Sequence, residues 1–131
     1  MRIFKTKHFA RLARRSKVMD GILRDGVTRA EAGQIDAQLG KFLIKQRVER
    51  PGEGRSGGFR AVMVFKTGDM TVFLHLFPKS SQENLSLEEL DVFRELAKYF
   101  AALSEIDISR LVAKKEWIEV DHGEIDEEIP Q

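Results

Sequence analysis

The sequence predicts an α+β fold, a small antiparallel sheet with a mixed edge packed on helices. Three observations carry that expectation: a strand-like N-terminal alternation that runs into a helix cap, two apolar runs joined by four turn-forming residues, and a long apolar stripe at helical spacing. In chain order, Arg2-Ile3-Phe4-Lys5-Thr6 alternates as a short strand does. Thr6 is then placed to cap a helix that sets Phe9, Leu12 and Ala13 on one face. The opposite face carries Arg11, Arg14, Arg15 and Lys17, a basic stripe that is either solvated or turned to a partner. After Asp25-Gly26, Thr28-Arg-Ala-Glu31 has the pattern of a capping box, which predicts a second helix running to about Leu39 and ending at Gly40.

Leu43 to Val48 alternates again, with Ile44, Gln46 and Val48 on one face and Leu43, Lys45 and Arg47 on the other. Arg50-Pro-Gly-Glu-Gly-Arg-Ser-Gly-Gly58 holds a proline and four glycines, and is expected to be an irregular, arginine-bearing loop. Phe59 to Phe65 and Met70 to Phe77, joined by Lys66-Thr-Gly-Asp69, predict a central hairpin because both strands are apolar on both faces. Ser86-Leu-Glu-Glu89 is a second capping box, flanked by Leu85 and Leu90 as a hydrophobic staple. Leu90, Phe93, Leu96, Ala97, Phe100 and Leu103 then recur at helical spacing, and Asp107 is placed to cap a last helix. Residues 1–120 are expected to form one domain, and residues 121–131 an acidic, mobile tail with too little apolar surface to offset its ordering entropy.

Composition narrows the functional classes. With 131 residues, 42% of them apolar, the chain is sized for one core. It has no apolar run of membrane-spanning length and no secretory leader pattern, so a cytoplasmic location is expected. The absence of cysteine removes disulfides, a thiolate nucleophile and the usual structural zinc sites. His8, His75 and His122 show no ligand spacing, and no dinucleotide, Walker or nucleophile-elbow motif is present, so neither a metal nor a cofactor is expected. The net charge of +1 conceals an asymmetry: residues 1–66 hold sixteen Lys/Arg against six Asp/Glu, and residues 67–131 hold six against fifteen. A polyanion would be drawn to the first half.

The glycines around Arg55, followed by Arg60 on a strand, suit phosphate. Guanidinium groups bind phosphate oxygens bidentately, remain charged, and stabilise the negative charge of a phosphoryl transition state. Clustered cations also favour the neutral form of a neighbouring lysine, making it a candidate base for a 2'-hydroxyl. The alternative is that Arg55 and Arg60 simply pair with carboxylates or solvent.

Lys45-Gln-Arg-Val-Glu-Arg-Pro-Gly-Glu-Gly-Arg-Ser-Gly-Gly-Phe-Arg60, then an apolar hairpin, then Phe77-Pro-Lys79, resembles the RelE/HigB-like toxins of bacterial type II toxin-antitoxin pairs, within the RelE/ParE superfamily. The resemblance implies a RelE-like toxin fold. It also implies a metal-independent endoribonuclease, an mRNA interferase that acts on messenger RNA at the ribosome through attack of the 2'-hydroxyl on the adjacent phosphate. The implied partner is a cognate antitoxin, a DNA-binding protein that often represses the shared operon. Residue by residue, it assigns Arg55, Arg60 and Lys79 to catalysis, and Lys45, Arg47, Arg50, His75 and Phe77 to RNA binding. The chain departs from the pattern at Phe77, where some relatives carry an aromatic hydroxyl; stacking survives there and proton transfer does not. By strand parity His75 shares a face with Phe73, Phe77 and Lys79, and is either a replacement proton donor or a satisfied core histidine. Two other readings stay open: a ParE-like gyrase poison, and an inactive relative that binds only RNA or antitoxin.

Overall fold

Among the described residues, alternating apolar positions build a six-stranded sheet with two helices on each face. The computed structural model describes the backbone of residues 1–50, 54–80 and 85–120, and the side chains of these residues except 50 and 54–57. The elements in chain order are β1 (Arg2–Thr6), α1 (Lys7–Ser16), α2 (Asp20–Glu31), β2 (Ala37–Gly40), β3 (Leu43–Arg50), β4 (Gly54–Lys66), β5 (Met70–Pro78), α3 (Leu87–Ala101), α4 (Glu105–Ala113) and β6 (Trp117–Val120). The strand order is β2-β3-β4-β5-β1-β6. Only β1 and β5 pair in parallel, so the sheet is antiparallel with one parallel seam.

Period-two patterning sends alternate side chains to two cores. On one side, Phe9 and Ala13 of α1 and Leu23, Val27 and Ala30 of α2 pack with Ile44, Val48, Ala61, Met63 and Phe73. On the other, Ala97 of α3 and Ile108 of α4 pack with Phe4, Leu43, Val62, Val64, Val72 and Trp117. Phe4, Phe9 and Phe73 are fully buried, and each contributes about 1.5–3 kcal/mol by removal from water. Gly68, at φ +76, occupies the left-handed region that the β4–β5 turn needs, and the Asp69 N–H donates to the Lys66 carbonyl at 2.9 Å to close it.

Two of the expected caps form as read: the Thr6 hydroxyl accepts from the Phe9 N–H, and Ser86 with Glu89 makes a reciprocal capping box at α3. Three expectations need correction. Thr28 and Glu31 lie in the last turn of α2, not at a helix start, and the Thr28 hydroxyl donates back to the Arg24 carbonyl at 3.0 Å. The helix therefore ends at Glu31, a left-handed Gly33 (φ +87) turns the chain, and residues to Gly40 become edge strand β2. The last helix is capped by Ser104, and Asp107 is the third helical residue of its capping box. Finally, the glycine-rich stretch is not wholly irregular: Gly54 to Gly58 belong to β4, with Arg50 opposite Gly54 across an irregular register. Residues 51–53 and the 121–131 tail lie outside the described residues.

Candidate functional site

Register sets the site. Arg47 of β3 is opposite Arg60 of β4, which is opposite Phe77 of β5; one step along, Lys45 is opposite Val62, which is opposite His75. Adjacent strands lie about 4.8 Å apart and residues about 3.4 Å along a strand, so these two rows set Lys45, Arg47, Arg60, His75 and Phe77 within roughly 12 Å of one another across three strands. They share the sheet face that α3 covers farther along, as the packing of Val62 and Phe77 against that core shows.

Among the described residues, the turn after α2 supplies the carboxylate that these cations contact. Gln46 projects to the opposite face, is 1% exposed, and its amide donates to the carbonyls of Gly26 and Gln34 at 2.9 Å each. It thereby ties the post-helical turn to β3 and fixes the approach of Asp36. The Asp36 carboxylate lies 3.3 Å from Arg47 Nε, 3.4 Å from Arg60 Nε and 3.6 Å from Lys45 Nζ. Arg60 also donates from Nη1 to the Phe59 carbonyl at 3.2 Å. The exposures of the three cations differ: the Arg60 side chain is 9% exposed, Lys45 30% and Arg47 53%. Among the described side chains, three positive charges thus share the negative charge of Asp36, on a face partly open to water. Guanidinium and ammonium groups that pair with a carboxylate have the chemistry to pair with phosphate oxygens as well. A cavity of about 390 Å³ opens beside Arg47 and Asp36, with Arg29, Gln34 and Gln46 in its wall.

His75 occupies the other end of the site. A bulge between the Val62–His75 and Met63–Phe73 pairs resets the alternation of β5, so that Phe73 packs with Phe9 on the far side, ring centroids 5.0 Å apart. Strand parity, which grouped His75 with Phe73, fails at this bulge. His75 instead stacks with Phe77 at 6.1 Å and with Phe93 of α3 at 5.7 Å. Its Nδ1 is 3.2 Å from Nε2 of His8. Burial pushes the His75 pKa down, the His8 imidazole adds to that effect, and the Glu89 carboxylate opposes it.

Lys79 is exposed in the turn after β5, and its backbone N–H donates to the Gly58 carbonyl at 2.9 Å, which places it beside the entry of β4 into the site. Arg50 and Arg55 are in strand backbone, but their side chains lie outside the described residues. Among the described side chains, then, Lys45, Arg47, Arg60, His75 and Phe77 come together, with Lys79 at the margin. Sequence reasoning missed Asp36, His8 and Phe93. Asp36 was hidden inside an over-extended helix. His8 and Phe93 join the site through packing between elements, for which no local pattern exists.

Among the described residues no helix is long and apolar enough to cross a membrane. The family model described as RelE toxin of RelE / RelB toxin-antitoxin system matches residues 1–120. No curated protein matches the chain.

Proposed function

The chain belongs to the RelE toxin family, the toxin half of toxin-antitoxin pairs, and on that premise we propose that it is a metal-independent endoribonuclease that cleaves messenger RNA on the ribosome. The observation that carries this reading is the Arg47–Arg60–Phe77 row with Lys45 beside it: clustered cations for a phosphate next to an aromatic ring for a base. In the proposed reaction the 2'-oxygen attacks the adjacent phosphorus and the 5'-oxygen leaves, giving a 2',3'-cyclic phosphate and a 5'-hydroxyl. Arg60, with Arg55 from the start of the same strand, stabilises the phosphoryl charge, and Lys79 protonates the leaving oxygen. Lys45, Arg47 and Arg50 hold the flanking backbone, Phe77 stacks on a base, and His75 faces the reacting ester. The proposed setting is the cytoplasm, where a cognate, DNA-binding antitoxin covers the site.

Antitoxin-free protein, pretreated with chelator and added to a translation extract, tests the proposal. Translation should stop, and ribosome-bound messenger RNA should carry new 5'-hydroxyl ends. Arg60→Ala should slow cleavage by about a hundredfold or more, as for a lost oxyanion donor, while the fold persists. Intact messenger RNA under these conditions would sink the reading, and DNA breakage in its place would point to a gyrase poison.

A further inference from the structure

The pairing of β1 with β5 ends at Lys5 opposite Phe73, yet β5 continues to Pro78. Among the described residues, that edge of β5 has no strand neighbour beyond Phe73, and the first turn of α1 comes against it, bringing His8 to His75. The two imidazole planes are parallel to within 3°, with centroids 5.4 Å apart and a 3.2 Å contact between His8 Nε2 and His75 Nδ1. Phe77 and Phe93 stack on His75 and fix its ring, while His8 is exposed.

Joined nitrogen to nitrogen, two imidazoles share one proton, one ring donating and the other accepting. The pair is stable when neutral or singly protonated. Double protonation would set two N–H groups against each other. In the neutral tautomer with the proton on His75 Nδ1, that N–H donates to His8 Nε2 and leaves His75 Nε2 as a free base. Arg60 of β4 is the diagonal cross-strand neighbour of His75, a position about 7–8 Å away and within reach of long side chains.

We infer that His75 and His8 form a proton relay for this site, in which His75 takes the 2'-hydroxyl proton and His8 carries the resulting charge to solvent. The inference rests on the ribonuclease reading above. In the step, the O2'–H bond breaks as its proton passes to His75 Nε2, and the Nδ1 proton of His75 moves to His8 Nε2. The oxygen pair forms the O2'–P bond, the P–O5' bond breaks with its pair going to O5', and O5' takes a proton from the Lys79 ammonium. One proton is gained by the pair and one is delivered by lysine. The relay removes positive charge from a half-buried ring near Arg60 and delivers it to an exposed one. His75 is the catalytic residue; His8 acts through it. Among the described residues, the charged and titratable groups around His75 are His8 from α1, Arg60 from β4, Glu89 from α3 and, in the turn after β5, Lys79. Glu89 is engaged by Ser86, whose backbone N–H donates to its carboxylate at 3.0 Å.

Cleavage rates against pH for the wild type, Arg60→Ala, His75→Gln and His8→Gln decide the matter. General base catalysis contributes about 10²–10⁴-fold, so His75→Gln should lose at least about a hundredfold and its acid limb. His8→Gln keeps an oxygen that accepts from His75 Nδ1–H, so the ring stays in place, but it cannot pass a proton. It should slow cleavage by about tenfold or more, and its acid limb should move because His75 then titrates without the imidazole that perturbs it. As His8 is exposed, this variant is expected to fold, and it decides the question if His75→Gln does not. If the wild type cleaves, Arg60→Ala does not, and His8→Gln keeps both the full rate and the same acid limb, the relay is overturned while the ribonuclease reading stands. No cleavage by the wild type overturns both.

Discussion

Replacing Asp36 by asparagine removes a negative charge from among three cations while leaving the shape nearly unchanged. Lys45 and Arg47, with side chains 30% and 53% exposed, can turn toward water, whereas the Arg60 guanidinium, at 9% exposure, cannot. The cost therefore falls mainly on Arg60. Breaking a fully buried pair costs roughly 3–5 kcal/mol and an exposed pair about 0–1 kcal/mol, so one buried and two accessible partners place the loss near 2 kcal/mol. Urea unfolding in chloride should show that loss as a lower midpoint at unchanged slope. In phosphate at matched ionic strength the gap should narrow, because an anion that binds only the folded state stabilises it, and the variant has an empty place for one. Equal stability of the two proteins in chloride, or equal stabilisation of both by phosphate, would refute the claim that Asp36 occupies the anion position of the cation cluster.

Other consequences follow from the same structure. His75 has its pKa lowered by burial first and by His8 second, so the unfolded chain binds this proton more readily than the folded one. Its contribution to stability is therefore present above the unfolded value of about 6.5 and is lost as pH falls from there toward the lower folded value; His75→Gln should flatten this part of the stability–pH curve, and an unchanged curve would exclude His75 as its source. Gln46→Leu should destabilise by about 1–3 kcal/mol for each buried carbonyl left unmet, read by urea unfolding, and a loss below about 0.5 kcal/mol would mean that the amide does not pin the post-helical turn. Deleting residues 121–131 should leave RNA affinity unchanged at low and high salt; tighter binding at low salt alone would show that the five carboxylates of 121–128 screen the cationic site.

Elements with a strong local signature were legible in the sequence: the Thr6 cap, the Ser86–Glu89 box, the β4–β5 hairpin and the alternation that puts Lys45 and Arg47 on one face. Where the reading failed, a local pattern had two uses. A Thr-x-x-Glu pattern fits a helix start, but within a helix the same threonine bonds its own preceding turn, and here the twelve residues from Asp20 already formed that helix. Glycines weaken a strand without forbidding it, and pairing with β3 draws Gly54 to Gly58 into the ladder. The bulge in β5 leaves no mark in composition, yet it decides which residues stand beside His75. Asp36 could be found only once the helix was known to stop before it.

The charge asymmetry along the chain also changes meaning once folded. Arg2 of β1 pairs with Glu105 and Glu119 at 3.0 Å each, so part of the basic first half is matched by the acidic second half across the β1–β6 edge. The proposed RNA-binding surface is consequently smaller than the sequence charge suggests, and the salt dependence of binding would measure its size. The six proposed cations, Lys45, Arg47, Arg50, Arg55, Arg60 and Lys79, less one for Asp36, leave about five phosphate contacts; at about 0.7 counterion per contact for a single strand, log affinity should fall with log salt at a slope near −3.5. The exposed Arg11, Arg14 and Arg15 of α1 would take that slope past about −5 if RNA also lay along the helix. A slope near −3.5 that is unchanged in the triple variant Arg11→Ala, Arg14→Ala, Arg15→Ala would leave the helix stripe to solvent or to a protein partner. A slope that drops by about two in that variant would extend the RNA track onto α1, and a slope near zero would remove the cation cluster as a phosphate site altogether.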